Sequence, residues 1–285
     1  MTLDKTFLRR SANPDVYQVK ENDPQLNQAI EKAKLTIQYF KNSLEQHNPN
    51  QTYFSIKTKL TDGNHIEHIW LDAVEISDNI VYGIANNAPT NLRNIELGAK
   101  IGVSEADISD WLIIEENRLI GGYTIRAIRD KMSRPQRELF ESTINFKIDH
   151  GKDFYEHNNL TPEGAILLIE DAYDAKDKDL LFSRIDWDAN ADIIIKNGPY
   201  AKFDGDTELH SQFIELLKTS LEKGLSESWP QFNNVDRAFI KKEFLPDDLL
   251  LITENIYHND KLLSTNRLYV KKQSDGTYKF CGDAN

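Results

Sequence analysis

The strand-like runs of this chain follow one another with little more than turn signals between them, and no other feature constrains its fold as much. In the first half the runs are Tyr53–Leu60, His65–Ile76, Ile80–Ala85, Ala99–Val103 and Trp111–Glu115, rich in β-branched and aromatic residues. Asp62-Gly63, Asp78-Asn79 and Asn86-Asn87 punctuate them. In the second half Arg237–Phe244, Leu249–Tyr257, Leu262–Lys271 and Thr277–Cys281 form a terminal series, with Asn259-Asp260 and Asp275-Gly276 as hairpin turns. Strands grouped in this way, apart from the helices, define an α+β order and not the strand–helix alternation of a parallel sheet.

The helices occupy separate stretches. Leu26, Ile30, Ala33, Ile37, Phe40 and Leu44 recur at spacings of four and three, which predicts one helix over Pro24–His47, with Asp23 as its N-cap and Pro24 at its first position. Glu105–Ser109 reads as a helical turn, and Thr124–Lys131 and Pro135–Glu141 as short helices. The polar segment Asp149–Leu160 marks a domain boundary. Beyond it Thr161 caps a helix beginning at Pro162, followed by helices over Lys178–Ile185 and Glu208–Lys223. The expectation is two domains. Residues 1–150 hold a helix and a small bent antiparallel sheet; residues 151–285 hold a cone-shaped arrangement of helices followed by a meander. A curved meander of this kind also allows a homodimer.

Charge narrows the partners. Asp and Glu number 46 against 34 Lys and Arg, for a net charge of −12. A broad basic face for nucleic acid is therefore not expected. No run approaches the roughly 18 consecutive apolar residues of a membrane helix, and no apolar block follows Arg9 and Arg10 to make a secretory leader. The single cysteine, Cys281, fits a reducing, cytoplasmic setting and reads as a buried structural thiol. Acids cluster at Glu170, Asp171, Asp174, Asp177, Asp179, Asp186 and Asp188, continuing to Asp192. They read either as a solvated face or as a surface that steers a basic partner.

Familiar chemical signatures do not occur. The sequence holds no P-loop, no G-x-G-x-x-G and no nucleophile elbow, so no cofactor and no catalytic residue is assigned. His65-Ile66-Glu67-His68 has the residue types of a metal site, but alternation along a strand would part Glu67 from His68, so no metal is expected. Asp110-Trp111 and Gly121-Gly122-Tyr123-Thr124-Ile125-Arg126 place a carboxylate and a guanidinium within one region. Arg126 is expected to pair with Asp110 or Glu67. A polar ligand pocket walled by Trp70 and Trp111 is the functional alternative to a structural ion pair. In the second half Asp206 and His210 read as a solvated pair at a helix start, and Trp187, Tyr200, Phe203, Trp229 and Phe232 as packing residues.

Phe54-Ser55-Ile56-Lys57, Glu67-His68-Ile69-Trp70-Leu71, Gly83, Asp110-Trp111 and Gly121-Gly122-Tyr123-Thr124-Ile125-Arg126 together resemble the YegJ-like domains, an uncharacterised bacterial family, over about residues 22–132. The resemblance carries no established reaction. It marks Lys57, Glu67, His68, Asp110, Thr124 and Arg126, with Trp70 and Trp111, as the candidate ligand site. Thr161-Pro162-Glu163-Gly164-Ala165 and Lys176-Asp177-Lys178-Asp179-Leu180-Leu181-Phe182 resemble the opening of the nuclear-transport-factor-2-like (SnoaL-like) fold over about residues 161–282. That fold hosts enzymes, ligand carriers and protein-binding modules. By analogy with immunity proteins of this shape, the expected function is a non-enzymatic one, binding a protein partner such as a basic toxin through the acidic run. The alternative is a small-ligand binder or enzyme using Lys57, Glu67, Asp110 and Arg126 or the C-terminal cone.

Overall fold

Asp23 accepts hydrogen bonds from the backbone N–H groups of Gln25 and Leu26, at 3.0 and 3.2 Å, and so starts helix α1, Pro24–Leu35. The computed structural model describes residues 23–62, 65–78, 80–86, 95–203 and 205–284. They fall into two units, Met1–Phe154 and Tyr155–Asn285.

In the first unit α1 gives way to α2, Ile37–Gln46, where a single helix was expected. The break has a local cause. The Thr36 hydroxyl donates to the Lys32 carbonyl at 2.8 Å and accepts from the Trp111 indole at 3.2 Å, competing with the helix ladder. Then come β1 (Gln51–Asp62), β2 (His65–Ser77), β3 (Ile80–Ala85), β4 (Lys100–Ser104), β5 (Ile108–Glu115) and β6 (Arg118–Gly121). They make one antiparallel sheet in the order β4-β3-β2-β1-β5-β6. The sequence reading lacked β6, whose hairpin with β5 turns on Glu116 and Asn117, both at positive φ (46° and 65°). Helices α3 (Tyr123–Lys131) and α4 (Arg134–Ser142) follow. Alternation along the strands gives the sheet two apolar faces. Ile56, Ile69, Leu71, Trp111 and Ile113 pack with Ala33 and Phe40 of the first two helices. Trp70, Leu112, Ile114 and Leu119 pack with Phe146 and Ile148 on the other face.

The second unit begins with α5 (Pro162–Ala175), whose cap Thr161 accepts from Gly164 N–H at 3.0 Å. Helices α6 (Lys178–Arg184), α7 (Trp187–Asn197) and α8 (Thr207–Glu227) follow, capped in turn by Asp177, Asp186 and Asp206. Helix α7 was not anticipated, because its Ile193-Ile194-Ile195 run weakens the helical signal. Strands β7 (Asp236–Phe244), β8 (Leu249–His258), β9 (Lys261–Lys272) and β10 (Tyr278–Asp283) form a purely antiparallel meander in the order β10-β9-β8-β7. Asn259 and Asp260, at φ 49° and 62°, turn β8 into β9 as a two-residue hairpin loop. The chain is thus an α+β protein with two antiparallel sheets.

Candidate functional site

The N-terminal candidates separate according to the sheet face they occupy. Lys57 on β1 stands opposite both Trp70 on β2 and Asp110 on β5, so these three share one face. The Lys57 ammonium lies 5.7 Å from the Trp70 ring centroid and donates to the Thr124 hydroxyl at 3.3 Å. Burial lowers the proton affinity of Lys57, and the charge of Asp110 opposes that.

Asp110 has no solvent exposure. Its carboxylate accepts from the backbone N–H groups of Trp111 (2.9 Å), Tyr123 (3.1 Å) and Thr124 (2.8 Å), and from the Thr124 hydroxyl (2.6 Å). The reason lies at the start of α3. Its N-cap is Gly122, which has no side chain to cap with and sits at φ 62°. Asp110 reaches in from β5 and supplies the missing acceptor. The arrangement satisfies every donor around it and reads as a structural lock.

Arg126, Trp111 and Glu67 lie elsewhere. Arg126 does not pair with Asp110 or Glu67. It donates to the carbonyls of Gly121 (2.9 Å), Asp149 (2.8 Å) and Leu119 (2.5 Å), and its guanidinium lies 3.5 Å from the Asp149 carboxylate. It pins the end of β6 to the segment that leaves α4. Trp111 points to the opposite face from Trp70, and its indole donates to the Ala33 carbonyl at 3.0 Å. The two tryptophans therefore wall no common pocket. His68 shares the face of Lys57 and Trp70, approaches the Ser109 hydroxyl at 2.8 Å and is pushed down to about 4 by burial and the charges of Lys57 and Lys59, while Glu67 alternates to the other face. The side chain of His65 lies outside the described residues.

The acidic run also resolves into separate tasks. Glu170 is buried, with 4 % exposure, and is not part of any surface. Asp171 faces His157 at 2.8 Å, and Asp174 accepts from Phe232 N–H at 2.6 Å. Asp177 and Asp186 are helix caps, while Asp179 and Asp188 sit in the first turns of α6 and α7, where the helix dipole favours an acid. Asp206 caps α8, and His210 turns to Asp192 at 3.2 Å instead of pairing with Asp206.

The second unit contains a cavity of about 670 Å³ between the meander and helices α5, α7 and α8. Ile169, Tyr173, Trp187, Leu217, Phe232 and Phe280 supply apolar wall, and Trp187 also packs against the core of the unit. The side chain of Phe203 lies outside the described residues. Glu170, Glu254 and Asp283 also line the cavity. Glu170 is ion-paired through Oε2 with the Arg237 guanidinium, and its Oε1 has no donor from a protein group. Glu254, 2 % exposed, accepts from Asn266 Nδ2 at 2.9 Å with one oxygen and has no donor for the other. Burial pushes Glu170 up to about 8, with Arg237 opposing and the charge of Glu254 adding to the shift. Burial likewise raises Glu254 and Asp283. Sequence reading gave Glu254 and Asp283 no role, because a lone acid on a strand carries no local signal of burial. Cys281 lies close by in the chain, fully buried, its thiol pushed up to about 12 by burial.

With this geometry in view, comparison with known proteins separates the two units. Residues 23–148 match the model of a family described as an uncharacterised protein conserved in bacteria (DUF2314). A protein of Neisseria meningitidis serogroup B that carries the provisional name of an ankyrin repeat protein is 32 % identical over 144 residues, which cover 48 % of this chain and 56 % of that protein. The uncharacterised protein YegJ of Escherichia coli strain K12 is 36 % identical over 72 residues, 25 % of this chain and 47 % of its own. The chain therefore spans about half the length of each of these curated relatives. The YegJ-like resemblance of the N-terminal region holds. No solved structure matches the chain. Among the described residues no helix is long and apolar enough to cross a membrane.

Proposed function

We propose that this protein binds a small ligand in its C-terminal unit, and that the DUF2314-like unit carries no reaction of its own. One observation carries the reading. The cavity of about 670 Å³ falls within the 300–1,000 Å³ usual for ligand sites, and it combines apolar and aromatic walls with a few converging polar groups. The Asp110 carboxylate, by contrast, is taken up by donors of the fold itself, three backbone N–H groups and the Thr124 hydroxyl. Helices followed by a curved meander also support the nuclear-transport-factor-2-like reading of residues 161–282. Titration of the full chain with a neutral apolar fluorophore, N-phenyl-1-naphthylamine, tests the proposal. Saturable fluorescence enhancement that disappears in Leu217→Trp, which fills the cavity from α8, supports it. Enhancement that survives in Leu217→Trp overturns it.

A second reading, a protein-binding module such as an immunity protein that masks a basic toxin surface in the cytoplasm, draws on the exposed Asp171, Asp177, Asp179 and Asp188. It expects a stoichiometric basic partner, captured at low salt and released at high salt. Capture that is unchanged in a variant with all four acids replaced by Asn would count against it.

A further inference from the structure

Two carboxylate oxygens of the cavity-lining glutamates have no protein partner, Oε1 of Glu170 and Oε2 of Glu254, while Oε2 of Glu170 is ion-paired with the Arg237 guanidinium. Both glutamates are more than nine-tenths buried. Carboxylates withdrawn from water in this way are costly unless positive charge and hydrogen-bond donors reach them. The charges nearby do not balance. The charge of Glu254 acts on Glu170, and that of Asp283 on Glu254. Arg237, the ion-pair partner of Glu170, is the cation that acts on both glutamates. Arg267 also lines the cavity, but its side chain is half exposed and its guanidinium lies 3.9 Å from Glu243. The rest of the wall mixes polar side chains (Asn190, Ser220, Thr265 and Asn266) with apolar and aromatic ones, among them Tyr173, Trp187 and Phe280, whose ring faces attract cations.

We propose that the cavity takes an amphipathic amine, its protonated head seated between Glu170 and Glu254 and its apolar body against Ile169, Trp187 and Leu217. This rests on the ligand-binding reading above and adds the chemical class. An ammonium group brings three N–H donors, enough for the two oxygens that have no protein partner. The apolar body replaces water along the walls at roughly 25 cal/mol per Å² of buried apolar surface. The proton balance also follows. Where Glu170 holds a proton in the free protein, an alkylammonium favours the carboxylate, and one proton leaves for solvent as the pair forms.

The test uses the full chain and three isosteric probes: n-heptylamine hydrochloride, 1-heptanol and heptanoate. Calorimetric titration at pH 7.5 in phosphate and in Tris gives affinity and the number of protons released. Heptylammonium is expected to bind at least about tenfold more tightly than heptanol, equivalent to about 1.4 kcal/mol, with net proton release. Heptanoate is expected to bind most weakly. Glu254→Gln and Glu170→Gln, each nearly isosteric, should abolish the preference for amine while leaving heptanol binding intact. Two variants are used so that a loss of fold in one leaves the other to decide. Equal binding of amine and alcohol overturns the charge assignment and leaves the cavity reading standing. Tightest binding of heptanoate also overturns it and transfers head-group recognition to Arg237 and Arg267. Absence of binding by all three probes up to millimolar concentration overturns both the inference and the ligand-binding reading.

Discussion

Asp110→Ala tests the claim that a strand carboxylate caps a helix that cannot cap itself. The substitution removes the acceptor of three backbone N–H groups, on Trp111, Tyr123 and Thr124, and of the Thr124 hydroxyl. All of these residues are buried. A buried donor left unmatched costs about 1–3 kcal/mol. Water entering the space left by the side chain recovers part of that, so the net loss expected is about 3 kcal/mol. Lys57 then keeps a partly buried charge without its carboxylate. Lys57→Met should consequently recover stability in the Asp110→Ala background while costing stability in the native one. Urea unfolding of the full chain reports the loss, provided the transition of the N-terminal unit is separated by amide exchange in α3. Exchange of the first-turn amides of α3 should accelerate more than exchange in α8. A loss below about 0.5 kcal/mol, the level of an ordinary surface change, would refute the capping argument. Unchanged exchange in α3 would refute it as well.

Three further outcomes follow from the same structure. Glu170 has a folded-state value of about 8 against an ordinary 4.5, so its protonated form is favoured in the native protein and stability contributed by Glu170 falls as pH rises from 4.5 through 8. Glu170→Gln should flatten that decline in thermal melts recorded across this range, and an unaltered slope would count against burial of the carboxyl group. Gly121→Ala should cost more than Gly98→Ala. Both glycines have positive φ (68° and 86°), but only at Gly121 would the new Cβ meet the Trp111 ring, at 2.6 Å, adding about 1–3 kcal/mol of overpacking in chemical denaturation. Equal costs would show that the loop yields freely. Cys281, fully buried with its thiol pushed up to about 12, should react with a disulfide reagent only after unfolding, and rapid labelling of the native protein would place it nearer the surface.

The parts of this molecule that were legible in its sequence are those written in short-range chemistry. Asp23-Pro24, Thr161-Pro162 and Asp206 announced helix starts, and Asn259-Asp260 announced a hairpin. The order of elements sufficed for an α+β protein with two antiparallel sheets. Features that depend on tertiary partners were not legible. The Thr36 break requires Trp111 from a strand 75 residues away. Strand β6 is too short to show a pattern, and the three isoleucines of α7 resemble a strand. Within the N-terminal cluster, Lys57, Asp110 and Thr124 converge as their shared region suggested. The partners of Arg126 are carbonyl groups, which no side-chain pattern reveals. The acids at 170–188 share a stretch of sequence but not a surface, since capping and burial drew them to different places.

Asp110 and the pair Glu170 and Glu254 show why burial alone does not mark a working site. All three are acids withdrawn from solvent. Asp110 is surrounded by donors that belong to the fold, and a ligand could gain access to it only by breaking a helix cap. Its burial therefore reads as architecture, and the cost of removing it should appear as lost stability. Glu170 and Glu254 keep oxygens without protein donors, on the wall of a cavity large enough for a small molecule. Glu170 gives the largely buried Arg237 its counter-charge, but the fold supplies no donor for its second oxygen or for Oε2 of Glu254. The difference is measurable. Neutralising Asp110 should destabilise the chain, whereas the stability difference between Glu170→Gln and the native chain should move in favour of the variant as pH rises through about 8, while the preference for an amine is lost. A loss of recognition whose stability cost shrinks with pH is what separates a residue retained for binding from one retained for folding.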